Sequence, residues 1–491
     1  MSFLNRLFDA SNLLENLEDF IQKNSIEIYD FFISQKNSSI ISHRAEIEKY
    51  ILPKYVIYNQ LDYSDSKNRT FLFCLLDVSQ RFGLALEFQR VYNIAKQNNI
   101  SLNSRLNATA KFLIGINSID DYENRIPEIL SYLSDSFLKE EDNEQKTIST
   151  LIHFYTEVFY NFGHQNTERV LEFKKKLLEE LQNDEYKFLH TKSVDEVLSY
   201  SLDNIDELYL AVHSKLDEIL ERASQYLAFN IEPHLIEVDS HYTELLATIS
   251  ANFKEIQKLC ADLYSVVASN EIFWSLQRGV KVLTEQNQLL AYLNSYGKMH
   301  YAKMMSAISP IEQNTLQEEL EIYDWGCGQG LASVCFIEYL NNQNINYSVN
   351  KFTLIEPSEI AIKRASLHLR KFVSDVQIVT INKDLDSLEN SDFENTESKT
   401  KIHLLSNILD IELFSMTDLI NLIKYSFKGN NFFVCVSPFV DSYKTERING
   451  FVQSFDNNPD FNLISDISER KGEWAGTNWS RVIRVFKCYI V

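Results

Sequence analysis

Apolar residues recur at three- and four-residue spacing through the first part of the chain, as in Val170, Phe173, Leu177 and Leu181, and again in Ile205, Leu208, Val212, Leu216 and Ile219. That period places one apolar stripe on each of a succession of helices, and the two-residue alternation of strands is scarce there. The rhythm changes at Glu319. Short apolar runs at 320–323, 352–355, 376–381, 402–405 and 432–436 then alternate with helical patterns at 331–340, 360–372 and 416–427. Strands separated by helices of that length predict a parallel sheet covered on both faces. The end differs, because the strand patterns at 463–467 and 481–491 follow one another directly across the turn-rich 472–478, which predicts an antiparallel pair closing a seven-stranded sheet.

Glycine and charge divide the chain in the same way. Residues 1–290 hold four of the twelve glycines and carry 28 Lys and Arg against 44 Asp and Glu, which is −16 of the total −22. An acidic all-helical domain over 1–290 is therefore expected, with a break between two helical layers near 191–206 and a charged linker at 140–145. An α/β domain is expected over 291–491. No fixed repeat period appears in the helical part, and its aromatic residues, among them Phe154, Tyr155, Phe159 and Tyr160, read as packing between helices.

Composition narrows the function classes. With 45% hydrophobic and 24% charged residues the chain buries a core, which excludes intrinsic disorder and a collagen-like architecture. The acidic balance opposes sequence-independent binding to nucleic acid. Six cysteines stand apart without a CxxC pair or a Cys/His cluster, so neither a metal site nor a disulfide framework is expected. No run of about 18 apolar residues occurs, and Asp9, Glu15, Glu18 and Asp19 interrupt the first twenty residues, so a chain without membrane spans or an export signal, resident in the cytoplasm, is expected.

The informative segment is 321–330, EIYDWGCGQG, a strand pattern that runs into a glycine turn and then into a helix. Glycines at 326, 328 and 330 let the backbone adopt conformations closed to other residues and let a ligand lie against main-chain amides at a helix start. A dinucleotide fingerprint would need a third glycine at 331, where the chain has Leu331. The spacing here is GxGxG.

In these residues the chain resembles the class I S-adenosylmethionine-dependent methyltransferases, whose hallmark is an acid and GxGxG at the end of the first strand: Asp324, Gly326, Gly328 and Gly330. The resemblance implies a Rossmann-like, seven-stranded methyltransferase domain behind the large all-α domain, with S-adenosylmethionine as cofactor. It further implies that Glu356, ending the next strand, accepts hydrogen bonds from the ribose hydroxyls, a task suited to an acceptor-only carboxylate. Asp384, after the third strand, would lie near the adenine, with Asp386 as a competitor. Cys327 reads as a small packing residue.

On the acceptor side, the segment 406–411 lacks the Asn-Pro-Pro-Tyr pattern of enzymes that methylate exocyclic amino groups, and no Pro-Cys nucleophile is present. Asn407 is a candidate for the transfer site, although a strand-end asparagine equally suits a cap. The segment 292–303 precedes the glycine turn. It makes Tyr296 and Tyr301 candidates for a lid or substrate contact and His300 a candidate general base, against a plain helix with solvated Lys298 and Lys303. Ser437, Arg447, Trp474 and Trp479 are further substrate-wall candidates.

Together these readings predict a methyltransferase acting on a protein, most naturally a basic one, or another macromolecule selected by the helical domain. The alternatives are a non-catalytic scaffold that keeps the fold, and an RNA methyltransferase using a basic groove of Lys363, Arg364, Arg370 and Lys371. The oligomeric state is not legible.

Overall fold

The computed structural model describes residues 2–35, 37–139, 143–220, 229–276, 282–394, 399–412, 414–440, 442–470 and 480–491. The chain forms two compact units, Met1–Gln225 and Tyr226–Val491. Among the described residues no helix is long and apolar enough to cross a membrane.

The first unit is helical, as the periodicity predicts. Side-chain caps set several of its helix starts: Asp65 accepts from the amides of Lys67 and Asn68, and Thr191 accepts from that of Val194. The expected break near 191–206 is absent. Thr191 opens the helix Lys192–Ser199, whose Val194, Val197 and Leu198 join Leu202, Ile205 and Leu208 in one core that reaches back to Ala108. The aromatic residues pack as expected, with the Phe154 ring 5.5 Å from Phe173 and 5.9 Å from Tyr122. Of the expected linker, 140–142 lie outside the described residues and 143–145 begin the helix Asn143–Phe162.

The second unit is built on seven strands: β1 (Glu319–Trp325), β2 (Ser348–Ile355), β3 (Gln377–Ile381), β4 (Thr400–Ser406), β5 (Gly429–Ser437), β6 (Asn462–Glu469) and β7 (Arg481–Ile490). Their order is β3-β2-β1-β4-β5-β7-β6. The first five strands are parallel, and β7 runs antiparallel to both β5 and β6. Successive crossovers leave β1 in opposite directions, so the carboxyl ends of β1 and β4 frame the crevice where an open α/β sheet binds its ligand. The turn expected at 472–478 lies outside the described residues.

The domain boundary falls about 65 residues earlier than 290/291. Residues from 229 onward line the β3 edge: the Thr380 amide donates to the Pro233 carbonyl at 2.8 Å, and the Leu235 amide donates to Thr380 Oγ1 at 2.8 Å. Glu237 forms a buried ion pair with Arg364, which is 1% exposed. Helices His241–Thr248 and Phe253–Val267 then bury Tyr242, Leu246, Phe253, Ile256 and Cys260 in the core of the sheet. Edge strands need such cover. The periodicity of these helices is the same as in the first unit, so spacing alone could not assign them. Moving the boundary also divides the acidity more evenly. Residues 1–225 hold 24 Lys and Arg against 36 Asp and Glu, leaving −12 there and −10 in the second unit.

The long helix Gln286–Ile308 begins with a reciprocal cap between Glu285 and Gln288. Gly297 faces the helix Phe253–Val267, where an added Cβ would come into contact with Gln257 at 3.4 Å and Phe253 at 3.5 Å. Spacing of four, four and three puts Tyr292, Tyr296, His300 and Lys303 on one face. Tyr301 lies on the other, stacked on Phe253 at 4.8 Å.

Candidate functional site

The chain leaves β1 through three glycines with positive φ, +61° at Gly326, +51° at Gly328 and +76° at Gly330. Each faces a different neighbour. Among the described residues, an added Cβ would meet Ile408 at Gly326, the backbone of Ala365 at Gly330, and nothing within 4 Å at Gly328. Gly330 thus serves close packing against the helix Glu359–Phe372, whereas Gly328 leaves open space. That space belongs to a cavity of ≈ 180 Å³ bordered by Gly326, Gly328, Glu356, Asp384 and Asn407, with Val282, Leu283 and Tyr292 from the chain before β1.

Glu356 follows β2 at the cavity wall. Its Oε2 accepts from the Gly328 amide and its Oε1 from the Ser358 amide, each at 3.0 Å. Each oxygen keeps further acceptor capacity. Burial pushes this carboxyl up to about 7, the two amides opposing and the Asp324 charge reinforcing that shift. Asp324, the acid at the end of the first strand in that resemblance, lies behind the cavity wall. It is 1% exposed, does not border the cavity, and accepts from both the amide and the hydroxyl of Ser333, at 3.1 and 2.7 Å. It ties the helix Leu331–Asn342 beneath the turn, and burial raises its carboxyl to about 7. Asp384 borders the cavity and caps the short turn that follows it, accepting from the Ser387 amide at 2.8 Å. Asp386 instead accepts from the Ser415 amide.

Asn407 follows β4 with φ of +55°, a conformation asparagine tolerates, and its amide donates to the Val436 carbonyl at 2.6 Å. Lys303, which one reading of the sequence left solvated, is fully buried and donates to Asn407 Oδ1 at 2.6 Å. That contact turns Asn407 Nδ2 toward His300, 2.6 Å from Nδ1. His300 lies 3.1 Å from the Tyr292 hydroxyl. Burial, with Lys303 alongside, holds its imidazole well below the usual histidine range, so it is neutral at physiological pH. The sequence brought His300 and Asn407 forward separately, and the fold joins them. Only Asn407 and Tyr292 of this group border the cavity, so His300 is a link behind the wall.

Other candidates fall elsewhere. Tyr296 packs against Tyr292 at 5.3 Å without bordering the cavity, and Tyr301 is turned into the core. Ser437 is buried and donates to Asp410 Oδ1 at 2.7 Å, which removes it from any substrate wall. Arg447 donates to the carbonyls of Leu409 and Phe414, bracing the loop after β4. Trp474 and Trp479 lie outside the described residues. The basic face considered for RNA is engaged within the unit: Arg364 is buried, Lys363 pairs with Glu359, Arg370 donates to the carbonyls of Ser374 and Val376, and Lys371 to that of Ala247.

Two groups at the cavity were not foreseen. Gln329 is 1% exposed and donates through Nε2 to the Leu289 carbonyl at 2.9 Å, but among the described residues its Oε1 has no hydrogen-bond partner. Ser406 Oγ is likewise buried without a partner among the described residues, and both residues border the cavity. Buried polar atoms of this kind call for a partner. A cradle open at Gly328, a carboxylate with spare acceptor sites and two unsatisfied polar atoms fit a ligand rich in hydroxyl and amino donors, as a nucleoside-bearing cofactor is.

No protein-family model matches the chain, and no curated protein matches it. Solved structures do. A Listeria monocytogenes protein described as a class I S-adenosylmethionine-dependent methyltransferase shares 13% identity over 75% of this chain and 89% of its own, with a TM-score of 0.30. An rRNA methylase from Streptococcus thermophilus shares 12% identity over 40% of this chain and 96% of its own, with a TM-score of 0.26. The plantazolicin methyltransferase BpumL in complex with SAH shares 12% identity over 51% of this chain and 100% of its own, with a TM-score of 0.27. The strand order, the antiparallel last pair and the glycine turn after β1 are themselves the class I methyltransferase fold.

Proposed function

We propose that the Tyr226–Val491 unit is an S-adenosylmethionine-dependent methyltransferase acting on a protein or another macromolecule, with the acidic helical unit selecting that acceptor. The observation that carries the cofactor reading is the clamp of Glu356 between the Gly328 and Ser358 amides, beside the one turn glycine whose Cβ position is open. When bound, S-adenosylmethionine supplies an activated methyl group on a sulfonium. Glu356 accepts from the ribose diol, Asp384 lies toward the base, and Gln329 Oε1 and Ser406 Oγ gain partners. Asn407 and Tyr292 orient the acceptor.

His300 serves as a fixed, neutral hydrogen-bonding link in this scheme and takes no proton from the acceptor. Incubating the full chain with a cell extract and methyl-labelled cofactor tests the activity. A labelled macromolecule supports the reading. Tight cofactor binding with no labelled product in any fraction turns it toward a non-catalytic scaffold.

Cofactor affinity is expected to fall as the pH drops through about 7, the value to which burial raises the Glu356 carboxyl. Below that pH the group is protonated and loses acceptor capacity, so binding at lower pH releases a proton and weakens by about tenfold per pH unit. Calorimetry between pH 5.5 and 7 in two buffers of different ionisation heat measures both quantities. An affinity flat over that range would show that Glu356 does not titrate against the ligand.

A further inference from the structure

The glycine turn is held from behind by a chain of groups that starts in the segment before β1 and reaches the turn through His368 on the helix Glu359–Phe372. Gln329 sits between Gly328 and Gly330, and its backbone carbonyl is 3.0 Å from His368 Nδ1. A carbonyl only accepts, so Nδ1 carries the proton. Burial holds this imidazole down at about 3, so it is neutral and Nε2 is an acceptor. The Tyr242 hydroxyl, 2.7 Å from Nε2, must therefore donate to it. Its oxygen is then left to accept from the Cys260 thiol at 3.3 Å. All donors point one way, from Cys260 through Tyr242 and His368 to the turn.

The far end of this chain is also fixed. The Arg364 guanidinium lies 3.5 Å from the centre of the Tyr242 ring, and Arg364 is itself held by Glu237 and Gln286. At the near end, the Gln329 side chain is anchored on the Leu289 carbonyl, and the Gly330 amide closes the turn on the Cys327 carbonyl at 2.7 Å. His368 does not border the cavity. Its bond fixes the peptide that joins the cavity-facing Gln329 to the turn's last glycine, in a stretch where two of three residues are glycines with little conformational preference.

We propose that His368 is a positioning residue for the cofactor cradle, holding the Gln329 carbonyl through Nδ1–H while Tyr242 fixes its tautomer. This rests on the reading of the cavity as a cofactor site. The two ring nitrogens separate by substitution: asparagine places an amide nitrogen near the Nδ1 position, glutamine places one near Nε2, and leucine places neither.

The test uses the full chain with S-adenosylhomocysteine as probe, its affinity read by calorimetry in wild type, H368N, H368Q and H368L. H368Q and H368L are expected to bind about tenfold more weakly, the effect of leaving a buried carbonyl unsatisfied, with H368N within about threefold of wild type. Equal loss in H368N and H368L would make the ring a packing element and overturn the proposal, as would affinities within about twofold of wild type in all three. Hydrogen exchange at the Gly330 amide in the ligand-free chain supplies a second readout. It should quicken by about tenfold in H368Q and H368L and not in H368N, and uniform exchange would also overturn the proposal. If wild type does not bind S-adenosylhomocysteine, the cofactor reading fails, and exchange alone decides whether His368 holds the turn.

Discussion

A Gly328→Val protein is expected to lose cofactor binding altogether while its ligand-free fold persists. The Cβ position of Gly328 meets nothing within 4 Å among the described residues, so the added side chain starts into the cavity and not into packed protein. The backbone still resists, because φ there is +51° and a β-branched residue in the left-handed region costs roughly 1–2 kcal/mol. That cost lowers the melting temperature by a few degrees without unfolding the unit. Gly330→Val is the contrast, since its Cβ would lie 3.1 Å from the Ala365 backbone. It should destabilise the whole second unit.

Glu356→Ala probes the same site from the other wall. It removes two charge-assisted hydrogen bonds to the ligand at roughly 1.5–3 kcal/mol each, so affinity should fall by at least about a hundredfold. Calorimetry and thermal melting with and without S-adenosylmethionine measure all three variants. Cofactor-dependent stabilisation surviving in Gly328→Val, or unchanged affinity in folded Glu356→Ala, would place the ligand elsewhere.

The cradle was legible because its chemistry is local. A short apolar run, GxGxG and an acid at the next strand end are each visible within a dozen residues, and the fold brings the Gly328 amide within 3.0 Å of the Glu356 carboxylate. What escaped the sequence depends on helical phase or on distant partners. Tyr301 and Tyr296 look equivalent in a string, yet only a count of turns shows Tyr301 facing Phe253 while Tyr292 reaches the cavity. Ser437 looked exposed after β5 until Asp410, 27 residues away, supplied its acceptor. Lys303 looked like an ordinary surface lysine. Its burial became readable only when β4 delivered Asn407 to it from 104 residues down the chain.

The domain boundary leads to the other large effect. A fragment starting at 226 is expected to fold and bind S-adenosylmethionine, and one starting at 286 to do neither. The shorter fragment lacks Pro233 and Leu235 at the β3 edge and the buried Tyr242, Phe253, Ile256 and Cys260. It also leaves Arg364, at 1% exposure, without the Glu237 carboxylate. Breaking a buried ion pair from one side typically costs about 3–5 kcal/mol, a large share of the stability of an ordinary domain. Glu237→Ala in the full chain isolates that contribution and should lower the melting temperature by more than any exposed carboxylate of the same unit. Circular dichroism melts and calorimetry on both fragments check the boundary, and a folded, cofactor-binding 286–491 fragment would return it to 290. The 226–491 fragment then tests acceptor choice. It should keep cofactor affinity and lose transfer to the macromolecular acceptor, because the −12 charge of residues 1–225 goes with the removed unit. Equal transfer by fragment and full chain would put acceptor recognition within the α/β unit itself, where Asn407 and Tyr292 would have to carry it.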